Sequence, residues 1–174
     1  MFKNSLIPAE AVRLAALGLL AETPRRYGDV AAEIRHVTGR IVGPSLDLMG
    51  TSLELLRYEG LVEAVDGAGM SDNAVLRLTQ RGRDALLALL KAELRAPTSD
   101  MNRLSLLLKL RFLHLLPEPE RQGQLALVAE ALESERARLD ELRQRSAEGF
   151  FREWLDRDIA VIDDRIAWLR SPGC

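Results

Sequence analysis

The chain has 174 residues, of which 47% are hydrophobic and 29% are charged, a balance that supports a buried core and excludes a disordered chain. Its length fits one or two small domains. The formal net charge is −2, with 12 basic and 12 acidic residues in 1–95 and 12 against 14 in 96–174. Neither part is globally basic, so contact with nucleic acid would need a local patch of positive charge.

The single cysteine and the longest apolar run both bear on where the protein works. Cys174 is the only cysteine, so a disulfide within the chain is excluded and we expect a reducing, cytoplasmic location. The apolar run 14–21 lies between Arg13 and Glu22 and is shorter than the roughly 18 residues that a membrane helix needs. We therefore predict a buried helix in this region and no membrane span.

The chain begins with the pattern of two helices. Pro8 is typical of a first helical turn, and apolar positions nearly surround the segment 8–22, as expected for a central helix. Thr23-Pro24 breaks that segment. A second helix is predicted over 27–37, with Gly39 as its stop.

A third helix and a hairpin are predicted next. Thr51, followed by Glu54 three residues later, is a capping-box pattern that predicts a helix start, and Gly60 is a C-terminal stop. Strands are predicted over 61–65 and 74–78, because apolar and polar residues alternate there. A hairpin of two strands is marginal alone, so it must pack on the helices.

The elements around that hairpin complete a recognisable order. Asp66-Gly67-Ala68-Gly69 predicts the turn between the strands, and Thr79 is a favourable N-cap for a further helix over 79–95. Helix, glycine stop, strand, turn, strand and helix is the second half of a winged helix. This module is most often used to bind DNA. The predicted fold class is therefore mainly α, with an N-terminal winged helix-turn-helix of three helices and a two-stranded wing.

Only helices are predicted beyond the linker at 96–99. The segment 100–116 is strongly apolar, and Pro117-Glu118-Pro119 ends it and starts a long amphipathic helix that Gly149 should end. A last helix over 150–169 is rich in large apolar residues. The chain thus divides into a winged-helix domain, 1–95, and a C-terminal α-helical domain, 96–174.

The last helix has more large apolar surface than a three-helix unit of this size can bury alone. Trp154 and Trp168 are 14 residues apart, close to four turns, and so share a face. We predict a dimerisation arm that packs against a second copy, with seven candidate contacts: Leu125, Val128, Leu132, Phe151, Trp154, Ile162 and Trp168. Two alternatives are an ordinary core facing the first domain and an aromatic-ligand pocket lined by the two tryptophans.

Residues suited to catalysis or to metal binding do not form a recognised pattern. His36 and His114 lie in different predicted domains with no cysteine nearby, so the spacing of a metal site is missing. The acidic residues of the last helix alternate with arginines, which indicates a salt-bridged surface rather than paired catalytic carboxylates. We predict no catalytic residue, no metal and no cofactor.

Several sequence blocks, in this order, resemble the PadR-like transcriptional regulators. They are the apolar opening helix at 11–22, Leu-Glu-Leu-Leu-Arg-Tyr-Glu-Gly-Leu-Val at 53–62, and Leu-Thr-Gln-Arg-Gly-Arg at 78–83. The C-terminal half, from 112–125 to the closing Ile-Ala-Trp-Leu, is similar in outline to the helical dimerisation domain of that family. The resemblance implies a homodimeric, cytoplasmic repressor that binds a pseudo-palindromic operator in double-stranded DNA. It implies no enzyme activity, and it is compatible with a small aromatic effector that releases the DNA.

Candidate DNA contacts follow from placing the basic and hydroxyl residues on this fold, in which the second and third helices flank the DNA. They are Arg25, Arg26, Arg35, Arg40, Ser45, Thr51, Ser52, Arg57 and Arg77. The wing is acidic at Asp66 and Asp72, and the third helix contains Glu54, where a positive residue would favour phosphate binding. The alternative function is therefore a winged-helix protein-interaction adaptor or anti-repressor that no longer binds DNA.

Overall fold

The structure is a computed structural model that describes residues 8–42, 49–65, 73–94 and 99–171. For residues 8, 9 and 49–52, which lie in helices, the structure describes the backbone but not the side chains. The helices and strands of the described residues are α1 Pro8–Glu22, β1 Arg25–Arg26, α2 Tyr27–Ile41, α3 Met49–Tyr58, β2 Val62–Ala64, β3 Val75–Leu78, α4 Gln80–Lys91, α5 Asp100–Phe112, a 3-10 turn Leu113–Leu115, α6 Glu118–Arg145 and α7 Phe150–Leu169.

The elements α1 to α4 form a winged helix, as predicted, and its small sheet has one strand more than expected. The sheet is antiparallel with the order β1-β3-β2. β1 is the two-residue strand that pairs Arg25 with Leu76 and Arg26 with Val75. Two arginines show no alternation of apolar and polar residues, so the sequence contains no sign of this strand. Its pairing is set by the tertiary contact with β3.

Helix α1 is the centre of the fold, and α5 packs directly against it. Most side chains of α1 are buried, in agreement with the apolar residues around its circumference. At Gly18 an added Cβ would lie 2.6 Å from the ring of Phe112 in α5, so only glycine lets the two helices approach this closely. A contact between Arg111 of α5 and Glu33 of α2, 3.0 Å long, ties the same helix to the winged helix. One hydrophobic core therefore extends across residue 95. The division of the chain into two domains at that residue stays a prediction.

Three predicted helix ends were wrong by a few residues. Helix α2 continues through Gly39 to Ile41, because a single glycine weakens a helix without ending it when the flanking turns are well bonded. Helix α3 starts at Met49, so Thr51 is inside the helix and is not its cap. Helix α6 ends at Arg145 rather than at Gly149. By contrast, Gly60 does end α3, with a φ of 70°. The predicted turn at 66–69 lies outside the described residues.

Helices α6 and α7 form an antiparallel hairpin, and residues 146–149 connect them. The buried face of α7 consists of Leu155, Ile159, Ile162, Ile166 and Leu169. Ion pairs between Arg136 and Asp163, at 2.6 Å, and between Arg143 and Asp156 hold the two helices along their sides. Two acidic residues of the last helix, Asp156 and Asp163, thus form surface ion pairs, as predicted for this helix, although their partners lie on α6.

Candidate nucleic-acid interface

Helix α3 is the element that a winged helix presents to DNA, and three contacts fix it. Leu53 and Leu56 are buried on its inner side. At the C-terminal end of α3, the Nη2 atom of Arg13 lies 2.7 Å from both carboxylate oxygens of Glu59. This pair is half-buried and joins α1 to the end of α3. The helix therefore has a defined position before any partner binds.

The Leu-Thr-x-x-Gly block connects the end of α3 to the start of α4. The Thr79 hydroxyl accepts a hydrogen bond from the Gly82 N–H at 3.1 Å, which caps α4, and donates to the carbonyl of Gly60 at 2.7 Å. The Thr79 N–H donates to the Leu61 carbonyl at 3.1 Å. A Cβ added at Gly82 would lie 2.0 Å from that same carbonyl oxygen. The block thus encodes a close crossing of α4 over the chain that follows α3.

The outer side of α3 is exposed at the described side chains between residues 54 and 58. Tyr58 is 90% exposed and Leu55 is 45% exposed, and Glu54 is exposed beside them. The exposure of Leu55 and Tyr58 was not predicted from the sequence. The spacing could have shown it, because they alternate with the buried pair Leu53 and Leu56 around the helix.

Four of the predicted arginines are available for a partner. Arg26, Arg35, Arg40 and Arg57 are exposed, and none of them forms an ion pair within the described residues. An ion pair between Glu54 and Arg57, which their spacing allows, is therefore not formed. Exposed guanidinium groups in this state can each bind a phosphate oxygen.

The other predicted contacts are less available or lie outside the description. Arg25 pairs with Glu22 at 3.1 Å, and Arg77 pairs with Glu63 across the hairpin at 2.7 Å. The Nε of Arg25 is buried without a hydrogen-bond partner in the described protein. Ser45 falls outside the described residues, as do Asp66 and Asp72 of the wing. Thr51 and Ser52 belong to α3, but their side chains are not described.

Three of the four available arginines are spread along α2 rather than gathered at one point. Arg26 is the N-cap of this helix and Arg40 lies in its last turn, which places their Cα atoms about 21 Å apart at 1.5 Å per residue. They cannot share one phosphate. Arginines spaced in this way suit several phosphates along a duplex, and such contacts set the position of a protein without selecting a sequence.

A comparison with known families decides what kind of protein this is. The profile of the family described as AphA-like transcriptional regulators matches residues 1–172. The chain belongs to this family. This match confirms the predicted resemblance to a family of transcriptional regulators.

Three solved structures illustrate that similarity. PadR of Bacillus subtilis in complex with p-coumaric acid is 18% identical, with 93% of each chain covered and a TM-score of 0.42. PadR of Bacillus subtilis in complex with operator DNA is also 18% identical, covering 90% of this chain and 93% of that chain, with a TM-score of 0.40. The protein smu.1604c of Streptococcus mutans is 17% identical, with coverages of 90% and 95% and a TM-score of 0.39. No protein of curated function matches the sequence.

The predicted dimer contacts of this AphA-like regulator fall into two groups. Four of them are buried within the chain itself: Leu125, Val128, Leu132 and Ile162. The other three are exposed, with Phe151 at 57%, Trp154 at 64% and Trp168 at 54%. The tryptophans therefore do not belong to an ordinary core, and they are exposed on α7 whereas Ile162 is buried. The assignment of all seven to an interface stays a prediction.

An apolar groove of about 570 Å³ opens between α5, α6 and α7 of the regulator. Its walls include Leu106, Leu107 and Leu110 from α5, Val128, Leu132 and Leu139 from α6, and Val161, Ile162, Trp168 and Leu169 from α7. Four charged residues, Arg103, Glu135, Asp158 and Arg165, also line it. Trp168 lines this groove and Trp154 does not, so the two tryptophans do not form a single pocket.

A buried lysine lies where the winged helix meets the C-terminal helices. Lys109 of α5 is 0% exposed, and its Nζ donates to the carbonyl of Ala92, the C-cap of α4, at 2.6 Å. Burial lowers the pKa of the Lys109 ammonium from its ordinary 10.5 to about 8, and the charge of Glu93 opposes this shift. Lys109 satisfies a carbonyl at the end of α4 that the helix itself leaves without a partner.

The described ranges contain neither a metal site nor a membrane-spanning helix. Within 8–42, 49–65, 73–94 and 99–171, no group of His, Cys, Asp and Glu is arranged to hold a metal ion. Over the same ranges, no helix is both long enough and apolar enough to cross a membrane.

Proposed function

We propose that this AphA-like regulator binds operator DNA as a homodimer and represses transcription. One observation supports this most: α3 packs on its inner side through Leu53 and Leu56, while Tyr58 on its outer side is 90% exposed. Arg26, Arg35, Arg40 and Arg57 add unpaired positive charge on β1, α2 and α3. Phosphate contacts supply much of the affinity of such an interface, and base contacts from α3 would supply its sequence preference.

The homodimer is proposed from α7. The exposed aromatic side chains Phe151, Trp154 and Trp168 form too much apolar surface for one helix of a monomeric protein to leave in water. In a two-fold dimer the two α3 helices would enter successive major grooves about 34 Å apart, which fits a pseudo-palindromic operator. In this proposal residues 1–95 bind DNA, residues 96–174 dimerise, and the protein acts in the cytoplasm without enzyme activity.

The DNA-binding proposal is tested by fluorescence anisotropy with the DNA upstream of the protein's own gene, at two salt concentrations. We expect binding that weakens steeply as salt rises, because each neutralised phosphate releases counterions. A dimer of the correct mass that binds no DNA even at low salt would contradict the proposal.

A protein-interaction adaptor is the second candidate function, and the composition of α3 favours it. The uncovered side of this helix presents Leu55 and Glu54 as well as Tyr58, and such a face suits an apolar protein partner. A folded dimer that does not bind DNA would favour this candidate.

Removing two arginines tests which residues contact the phosphates. We expect the double variant Arg26→Ala and Arg40→Ala to bind all DNA sequences more weakly, because phosphate contacts do not depend on sequence. The slope of log K against log salt should become shallower by about one for each phosphate that is no longer neutralised. Arg145→Ala is the matched control, since this exposed arginine lies at the far end of α6 and pairs with Glu141. Unchanged affinity and slope in the double variant would exclude these two contacts.

We also propose that a small aromatic molecule modulates DNA binding from the groove between α5, α6 and α7. A volume of about 570 Å³ suits such a ligand, and Trp168 in its wall provides a probe. Titration with a series of phenolic acids should change the fluorescence of a Trp154→Phe variant, in which Trp168 remains. The same titration should change the fluorescence of a Trp168→Phe variant less, because Trp154 does not line the groove of its own chain. An equal response from both variants would place the ligand elsewhere.

A further inference from the structure

Helix α7 has two apolar faces, and only one of them is covered in the described chain. The covered face packs on α6. The second face is a stripe of exposed residues, Phe150, Trp154, Val161 and Trp168, which we call the outer stripe. Trp154, Val161 and Trp168 are seven residues apart in each case, the spacing that keeps side chains on one side of a helix over many turns. Phe150, at the start of the helix, is 91% exposed.

We propose that the outer stripe packs against the outer stripe of a second copy, with the two α7 helices antiparallel and the two-fold axis beside Val161. This inference rests on the proposed homodimer and adds the orientation and register of its central contact. A two-fold interface must be complementary to itself, and the residues of α7 have that property.

The stripe is complementary to itself in the antiparallel orientation. Trp154 and Trp168 are each seven residues from Val161, so a two-fold axis there brings Trp154 beside the partner's Trp168. Asp158 and Arg165 also lie on this side of α7, and their midpoint falls half a residue from Val161. The same axis therefore places Asp158 opposite the partner's Arg165, offset by about 1.5 Å along the helix. Two independent pairs, one aromatic and one charged, share one centre.

The parallel orientation is unfavourable for the same residues. It would place Asp158 against the partner's Asp158 and Arg165 against the partner's Arg165, and like charges at an interface oppose association. Neither side chain forms an ion pair inside the described part of its own chain, whereas Asp156 and Asp163 are paired with arginines of α6. Asp158 and Arg165 are thus available to pair across the interface.

The groove extends this surface beyond α7. Asp158, Val161, Arg165 and Trp168 form part of its α7 wall, and Leu107 of α5, which is partly exposed, lies in another wall. A second α7 lying along the outer stripe would cover the open side of the groove and the exposed part of Leu107. The interface would then include α5 as well as the two α7 helices. This contact adds the buried apolar area that two helices alone would lack and that a stable dimer needs.

Disulfide cross-linking tests the orientation in a Cys174→Ser background, which removes the only natural cysteine. Val161→Cys alone should form a covalent dimer under mild oxidation. Trp154→Cys alone and Trp168→Cys alone should not, because each would lie about 21 Å along the axis from its own copy. A mixture of those two variants, after subunit exchange, should form the covalent heterodimer. Ala160→Cys and Ala167→Cys are exposed controls on α7 outside the stripe and should remain uncross-linked.

Charge reversal provides a second measurement on the same pair. Asp158→Arg alone and Arg165→Asp alone should each raise the dimer dissociation constant about tenfold, because each creates two like-charge contacts. The double variant should restore the dissociation constant of the natural protein. Failure of the double variant to recover would overturn the pairing of Asp158 with the partner's Arg165.

The outcomes separate this inference from the proposed dimer itself. Light scattering that finds only monomers of the natural protein would contradict the homodimer and this inference with it. A dimer in which Trp154→Cys or Trp168→Cys cross-links to itself would be parallel, and a dimer in which Val161→Cys does not cross-link would use another surface. Either result would overturn the antiparallel stripe and leave the homodimer standing.

Discussion

A Gly82→Ala substitution should lower the free energy of unfolding by about 3 kcal/mol or more, at the upper end of what overpacking costs. The added Cβ would lie 2.0 Å from the carbonyl oxygen of Leu61, which is backbone and cannot rotate away as a side chain could. Relief would require α4 to move from the chain after α3. That shift would also strain the hydrogen bonds that Thr79 donates to the chain after α3, from its hydroxyl to the Gly60 carbonyl at 2.7 Å and from its N–H to the Leu61 carbonyl at 3.1 Å.

The measurement is urea denaturation followed by circular dichroism at one fixed protein concentration, because the proposed homodimer would make the apparent stability depend on concentration. Gly123→Ala is the matched control. Gly123 lies inside α6, and no atom would meet its added Cβ within 4 Å. That variant should be more stable by about 0.5–1 kcal/mol, the usual gain of alanine over glycine in a helix. If Gly82→Ala denatures at the same urea concentration as the natural protein, the close crossing described for α4 is absent.

The second large effect concerns Lys109 and depends on pH. Its pKa is about 8 in the folded protein against an ordinary 10.5, so between these pH values the unfolded chain binds more protons than the folded one. The free energy of unfolding contributed by this group therefore rises with pH over that window, by about 3 kcal/mol in total. Below pH 8 the ammonium is charged in both states, and the cost of burying it is present in full.

A Lys109→Met variant isolates this contribution. It should be at least as stable as the natural protein at pH 7, because an apolar side chain replaces a buried charge. As the pH rises towards 10, the natural protein should gain stability relative to the variant. The difference between their unfolding free energies, measured in urea at several pH values, gives the result. Lys91→Met is the control, since Lys91 is exposed and pairs with Glu120 at 2.7 Å, and its difference from the natural protein should show no such rise. A flat difference for Lys109→Met would mean that this lysine is hydrated.

The framework of the winged helix could be predicted from the sequence because its key residues act locally. Pro8, Gly60 and Thr79 each determine a helix start or stop through their own backbone or side chain, and the structure confirms all three. Strand β1 could not be predicted, because Arg25 and Arg26 become a strand only through contact with β3. The extension of α2 past Gly39 is a similar case, since the surrounding turns outweigh the preference of one glycine.

The candidate site was less accessible to sequence reasoning than the fold. The sequence indicated which arginines belong to the winged helix, but not that Arg25 and Arg77 would pair with Glu22 and Glu63. Ion pairing depends on how side chains meet across elements, which a local pattern does not encode. Tyr58 is different, because its position on α3 opposite the buried Leu53 and Leu56 could have shown its exposure.

The ring of Phe112 against Gly18 has a consequence for dividing or recombining this chain. A fragment that stops at residue 95 would lose α5 and leave the side of α1 at Gly18 open to water. A chimera that joins this winged helix to a foreign dimerisation module should therefore keep the native chain to the end of α5. When domains are recombined between related proteins, α5 should be transferred together with the winged helix. The segment that must stay intact is therefore longer than the winged helix alone.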